Sequence, residues 1–208
     1  MNQLMERFLG LPPLASEHGQ GVNDLISYLH WLMIILFVGW LCYFGFVLWR
    51  FNRRRNAKAD PVGVRNHASS YLEIVVAGVE ASLLLFVAIP LWAQRVDQFP
   101  SQDESTVLHI SAQQFAWNAR YAGADGEFGR QDRALVSNDN VFGIDPADPK
   151  SKDDVQVLNE IHVPVNKPVI AYVTSKDVIH SLKIPAMRVT QDATPGLRVP
   201  IWFKPVKE

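Results

Sequence analysis

Two long apolar stretches interrupt an otherwise mixed sequence. Residues 25–49 carry no Lys, Arg, Asp or Glu, and residues 74–93 carry one charge, Glu80. About 20 helical residues cross a hydrocarbon core, so each stretch predicts a membrane span. After residue 94 the apolar period changes to two, which predicts strands. Leu108 and Ile110 fall on one side of a strand over 106–111, and Phe115, Trp117, Ala119 and Tyr121 share one face of the next. Ile161, Val163 and Val165 alternate, residues 168–175 form another apolar run, and Leu182 and Ile184 alternate after it. Leu197, Val199, Ile201 and Phe203 complete the pattern, while Pro164, Pro168, Pro185, Pro195 and Pro200 restrict these strands to short or edge positions. Short strands separated by turns predict a β-sandwich or Greek-key barrel. The chain therefore divides into an N-terminal segment (1–24), a transmembrane helical hairpin (25–93) and a water-exposed all-β domain (94–208).

Charge orients the hairpin. Between residues 50 and 67 stand Arg50, Arg53, Arg54, Arg55, Lys58 and Arg65 against one acid, Asp60. Short loops rich in Lys and Arg stay in the cytoplasm. Both termini then lie on the opposite face, periplasmic in a bacterial inner membrane, and the β domain works outside the cell's interior. The first span is longer than a signal-peptide core and its basic cluster follows it, so a retained helix is expected.

Composition removes several function classes. With 20 basic and 21 acidic residues among 208 there is no basic excess to hold nucleic-acid phosphates. A hydrophobic share of 48% excludes a disordered chain. The single cysteine, Cys42, lies mid-span and reads as a small apolar residue; it excludes a disulfide framework and any two-thiolate copper site made from this sequence alone. Residues 138–154 hold five Asp, without the Asp-x-Asp-x-Asp-Gly spacing of a calcium loop, and read as a solvated loop.

Glu73 and Glu80 are seven apart, close to one helical face and about 10 Å apart along the axis. An ionised carboxyl deep in a span costs about 3 kcal/mol or more, so Glu80 is expected to face protein or water. Either residue reads as part of a proton path or a subunit contact. Alternatives are an interfacial anchor for Glu73 and a neutral, hydrogen-bonded carboxyl for Glu80. His30 reads as an interfacial hydrogen-bonder.

Four blocks resemble subunit II of the haem-copper cytochrome c oxidases. They are the helical hairpin with Tyr71-Leu72-Glu73-Ile74 opening its second helix, the segment from Ala112 through Gln114-Phe115-Ala116-Trp117 to Tyr121, the run Asp177-Val178-Ile179-His180-Ser181 followed by Ile184-Pro185, and Gln191-Asp192-Ala193-Thr194-Pro195-Gly196. The resemblance implies a cupredoxin-like Greek-key domain carrying a dinuclear copper centre, CuA, that takes electrons from soluble or membrane-bound cytochrome c. They would pass to haem and CuB in subunit I, where oxygen is reduced and protons are pumped, with subunit III beside it. His180 matches the first copper-ligating histidine, and Phe115 stands at the electron-entry tryptophan with Trp117 and Tyr121 beside it. Glu73 matches a carboxylate at a proton-channel entrance; Glu80 stands where a proline is common, so its role does not carry over. The family's Cys-x3-Cys copper block follows the Pro-Gly segment, and this sequence stops at Glu208 before it. The fold is thus expected to be incomplete as given, with an open sheet edge, and the chain to continue into the copper loop. Two other readings stay open: a copper-free subunit II of a quinol oxidase, and a non-catalytic structural subunit of a respiratory supercomplex.

Overall fold

A computed structural model of the chain describes residues 2–58, 61–63 and 66–207, of which Asn2 and Gln3 are described in backbone only. Asp60 and Arg65 of the basic loop, and Glu208, lie outside the described residues. The chain folds as two compact units, one of residues 1–11 and 21–92, the other of residues 12–20 and 93–208.

The first unit is helical. A short helix α1 (Asn2–Phe8) precedes α2 (Gly19–Arg50), whose 32 residues include the first predicted span. The second span is carried by α3 (Ala68–Leu83) and α4 (Ile89–Val96), joined through a π-type turn at Leu84–Ala88. Pro90 explains the turn. Its ring nitrogen has no hydrogen to donate and would crowd the carbonyl of Phe86, so one wider turn absorbs the misfit. The Ile89 N–H accordingly donates back to Leu84 O. His30 is the local hydrogen-bonder expected, with Nδ1 2.8 Å from Ile26 O. Cys42 is exposed on α2.

The second unit packs two β layers. A five-stranded sheet has the order β3-β2-β1-β4-β7, with β1 (Thr106–Gln113), β2 (Ala116–Tyr121), β3 (Val155–Leu158), β4 (Val169–Ser175) and β7 (Val199–Phe203). Its one parallel pair is β1 with β4; the other neighbours are antiparallel. Across the core lies the hairpin β5 (His180–Ile184) with β6 (Val189–Ala193). Inward residues of alternating strands fill the space between: Leu108, Ile110 and Ala112 from β1, Val169, Ala171 and Val173 from β4, and Leu182, Val189, Ala193 and Phe203 opposite or beside them. Pro200 is tolerated because β7 is an edge.

Three sequence expectations need correction. Ile161, Val163 and Val165 form no strand, because Asn159 and Asn166 turn the backbone to φ +59° and +64° on either side; Ile161 and Val163 still pack on the core. Leu197 lies outside β7 and is exposed, since Pro195-Gly196 makes a turn with Gly196 at φ +77°. The aspartate-rich loop is not uniformly solvated. Asp154 is buried against the fully buried Arg120, whose Nε donates to Asp154 Oδ2 at 3.1 Å and whose Nη2 donates to both Asp154 and Gly129 O. Strand β3 follows that loop, where the apolar pattern predicts none.

The segment before α2 belongs to the β unit. The Ala15 N–H donates to Ala186 O (2.9 Å), the Glu17 N–H to Lys204 O (3.0 Å), and the Val206 N–H to Ala15 O (2.8 Å). Ser16 Oγ donates to Met187 O at 2.8 Å. Arg95 lies 3.6 Å over the ring of Trp202, and His18 sits beside the same indole.

Candidate functional site

His180 opens β5, and its imidazole is mostly buried, with 18% of the side chain exposed. Its Nε2 lies 2.7 Å from Asp177 Oδ1. The same carboxylate accepts the Gln114 N–H at Oδ2 (2.7 Å) and the Val178 N–H at Oδ1 (2.7 Å). The His180 hydrogen bond first, and the Gln114 amide next, hold the Asp177 carboxyl well below the usual carboxylate range. An ionised carboxylate only accepts, so the hydrogen of this bond is carried by Nε2, and Nδ1 is the ring nitrogen turned away from Asp177. A carboxylate fixing the tautomer and aim of an imidazole is the usual support of a metal-binding histidine. The sequence reading gives Asp177 no role of its own. Its spacing three residues before His180 is the signal that could have found it.

Trp117 meets the His180 ring edge-on, with centroids 6.0 Å apart and planes at 71°. Phe115 departs from the expected strand face. The pair Gln113↔Ala116 closes the β1–β2 hairpin on a two-residue turn, Gln114-Phe115, so the Phe115 ring projects from the turn and is 92% exposed. Trp117, Ala119 and Tyr121 do share the inner face. Tyr121 is four residues further along β2, about 13 Å from Trp117 at strand rise, and its Oη accepts the His162 N–H at 2.8 Å. Burial pushes its phenol upward. The fold therefore gathers Phe115, Trp117, Asp177 and His180 at one end of the sheet and leaves Tyr121 nearer the other. Glu73 and Glu80 are both exposed on α3, none of whose described residues is buried.

These residues do not by themselves fit a dinuclear copper centre. Such a pair takes soft thiolate ligands, and the cysteine present, Cys42, lies on α2 in the other compact unit. Among the described residues no three His, Cys, Asp or Glu side chains converge as a metal site. His180 offers one nitrogen.

Burial perturbs two histidines elsewhere in the β unit. His109 lies on the outer face of the sheet, stacked on Phe128 at 4.1 Å and edge-on to Tyr172 at 5.6 Å. Burial, then the charges of Arg198 and Arg120, push it down to about 4. His18 is pushed down to about 4 by burial and then by Arg95. Both rings fold neutral, so the unfolded chain binds protons that the folded one refuses between about pH 6.5 and 4. Stability is complete above that window and falls as pH drops through it. His109 alone is expected to contribute about 1–3 kcal/mol to the fall. Denaturant midpoints measured between pH 8 and 4 on the chain and on His109→Gln check this: the variant should lose part of the slope, and an unchanged slope overturns the assignment.

A helical membrane hairpin joined to a two-layer β domain, with a carboxylate-held histidine at one end of the sheet, is a membrane-anchored cupredoxin-like domain. Residues 106–207 match the family described as cytochrome C oxidase subunit II, periplasmic domain. The chain is 29% identical over 198 residues to the alternative cytochrome c oxidase subunit 2 of Bradyrhizobium diazoefficiens, covering 94% of this chain and 69% of that one. It is 27% identical over 222 residues to cytochrome c oxidase subunit 2 of Cereibacter sphaeroides, covering 96% and 70%. The solved periplasmic domain of subunit II of cytochrome oxidase from Bradyrhizobium japonicum is 29% identical over 52% of this chain and 67% of its own, at a TM-score of 0.34. This protein thus carries a periplasmic domain of the cytochrome c oxidase subunit II family. It spans between 51% and 70% of the length of these two curated relatives and of that of Rickettsia felis.

Proposed function

We propose that this chain is subunit II of a respiratory haem-copper oxidase, receiving electrons outside the membrane from a cytochrome c and delivering them to a haem subunit that reduces oxygen. The observation that carries the reading is the Asp177-held His180, packed on Trp117 beside the exposed Phe115 turn. An exposed aromatic ring next to a buried indole and a preset imidazole suits a surface where a redox partner docks. The exposed apolar faces of α2 and α3, with Glu73 and Glu80 among them, suit packing against subunits I and III. One nitrogen does not hold a copper pair, so such a site would need further ligands besides His180.

Purification of the native complex tests this. Co-purification with haem protein and oxidation of reduced cytochrome c are the expected results, with near-infrared copper absorption marking CuA. Quinol as sole donor without that absorption would favour the copper-free oxidase. A native subunit isolated without any haem protein would overturn both.

The orientation is part of the proposal. Residues 15–17, before the first span, hydrogen-bond residues 186–206, after the second, which supports placing both on one side, with the basic loop cytoplasmic. In a Cys42→Ser background, Asp125→Cys should react with an impermeant maleimide in intact cells, and Asn56→Cys only after permeabilisation. The reverse pattern would invert the topology.

A further inference from the structure

We propose that the cavity beneath the 130–144 loop binds a small organic anion bearing carboxylate or phosphate groups. The cavity encloses about 610 Å³, within the range of small-molecule sites. Its floor is the outer face of β1 and β4, where His109, Ser111, Tyr172 and Thr174 point away from the core. Its roof is the loop, held by the Asp132 N–H donating to Gly143 O at 2.7 Å. Gly143 is required there: its φ is +63°, and a Cβ would stand 2.3 Å from Asp132 O.

The charges lining this space are unbalanced. Arg133, Lys176 and Arg198 face one acid, Asp132, whose carboxylate already accepts the Ala134 N–H. Among the described residues none of the three cations makes an ion pair. Lys176 Nζ donates to Ser137 O (2.9 Å) and Asn138 Oδ1 (2.8 Å), neutral acceptors that hold the ammonium in place without cancelling its charge. Arg198 is aimed by a single 2.7 Å bond from Nη2 to Gln131 Oε1, which leaves most of its fork free for a bidentate anion. On the floor, the rings of His109 and Tyr172 meet edge-on, with centroids 5.6 Å apart. Val136, Val141 and Phe142 give the cavity apolar wall, which suits an anion with a carbon body over a bare ion.

Calorimetry on the full chain in detergent tests this with two probes, citrate and inorganic phosphate, titrated separately at neutral pH and low salt. Expected is one-to-one binding of at least one probe with a dissociation constant below about 1 mM, weakening as salt rises. Tighter citrate binding assigns a carboxylate ligand, tighter phosphate binding a phosphate one. Arg133→Gln and Arg198→Gln are exposed positions that leave the core intact, and each should weaken binding about tenfold; Lys183→Gln, which does not line the cavity, should leave it unchanged. No saturable binding of either probe up to about 10 mM, or binding that the Arg133→Gln/Arg198→Gln double variant retains, overturns the proposal.

Discussion

Replacing Arg120 by leucine is expected to cost the β domain about 3–5 kcal/mol. Arg120 is fully buried on β2, and Asp154, 34 residues later, is 1% exposed at its side chain. The guanidinium ties together three pieces: its own strand, the Gly129 carbonyl and the end of the aspartate-rich loop. The Gly129 N–H also donates to Asp154 Oδ2 at 3.2 Å. Removing either charge leaves the other buried and uncompensated, which costs more than the pair contributes when intact. Asp154→Leu should therefore be as damaging as Arg120→Leu, while the double variant recovers much of the loss, because an apolar pair of similar volume needs no hydration. Guanidinium titration of the full chain, followed by tryptophan fluorescence, measures all three. A single-variant loss below about 1 kcal/mol would mean that water reaches the pair.

On the proposed role as an oxidase subunit, substituting Glu73 by glutamine is expected to slow reduction of the oxygen site in the assembled complex by roughly tenfold. The carboxyl is exposed on α3, and Glu80, also exposed, follows seven residues later, about 10 Å along the axis. Glutamine keeps the size and the hydrogen-bonding reach but carries no exchangeable acidic proton. Glu73→Asp should keep part of the rate, and subunit content should not change in either variant. Stopped-flow reduction of the purified complex provides the measurement. Turnover equal to the parent would remove Glu73 from the proton path and leave it an anchor at the membrane surface. The same assay on Glu80→Gln tests whether the deeper carboxyl belongs to that path or to a helix contact.

Both membrane helices are legible because a span requires an unbroken apolar run, and residues 25–49 and 74–93 supply it without reference to anything distant. Strands β1, β4, β5 and β7 are legible for a similar reason: a half-buried strand writes its inner face as alternate residues. His180 stands out by resemblance, and the fold holds it where a ligand-bearing side chain would be supported. Phe115 fits the alternation equally well, yet it sits at a turn, because the hairpin register Gln113↔Ala116 decides its direction and register depends on the partner strand. Short β3 escapes the pattern because an edge strand of four residues carries almost no periodic signal.

The amino-acid pattern by itself determined the two apolar spans, the basic loop between them, the all-β domain and the family motif around His180, since each depends on neighbours within a few residues. Only the tertiary structure decided that Asp177 holds His180 through the β1–β2 turn, that Arg120 finds Asp154, that residues 15–17 join the β unit, and that Arg133, Lys176 and Arg198 line one cavity. Those contacts unite positions separated by tens to nearly two hundred residues, and their partners are selected by chain closure and packing, which no local period encodes.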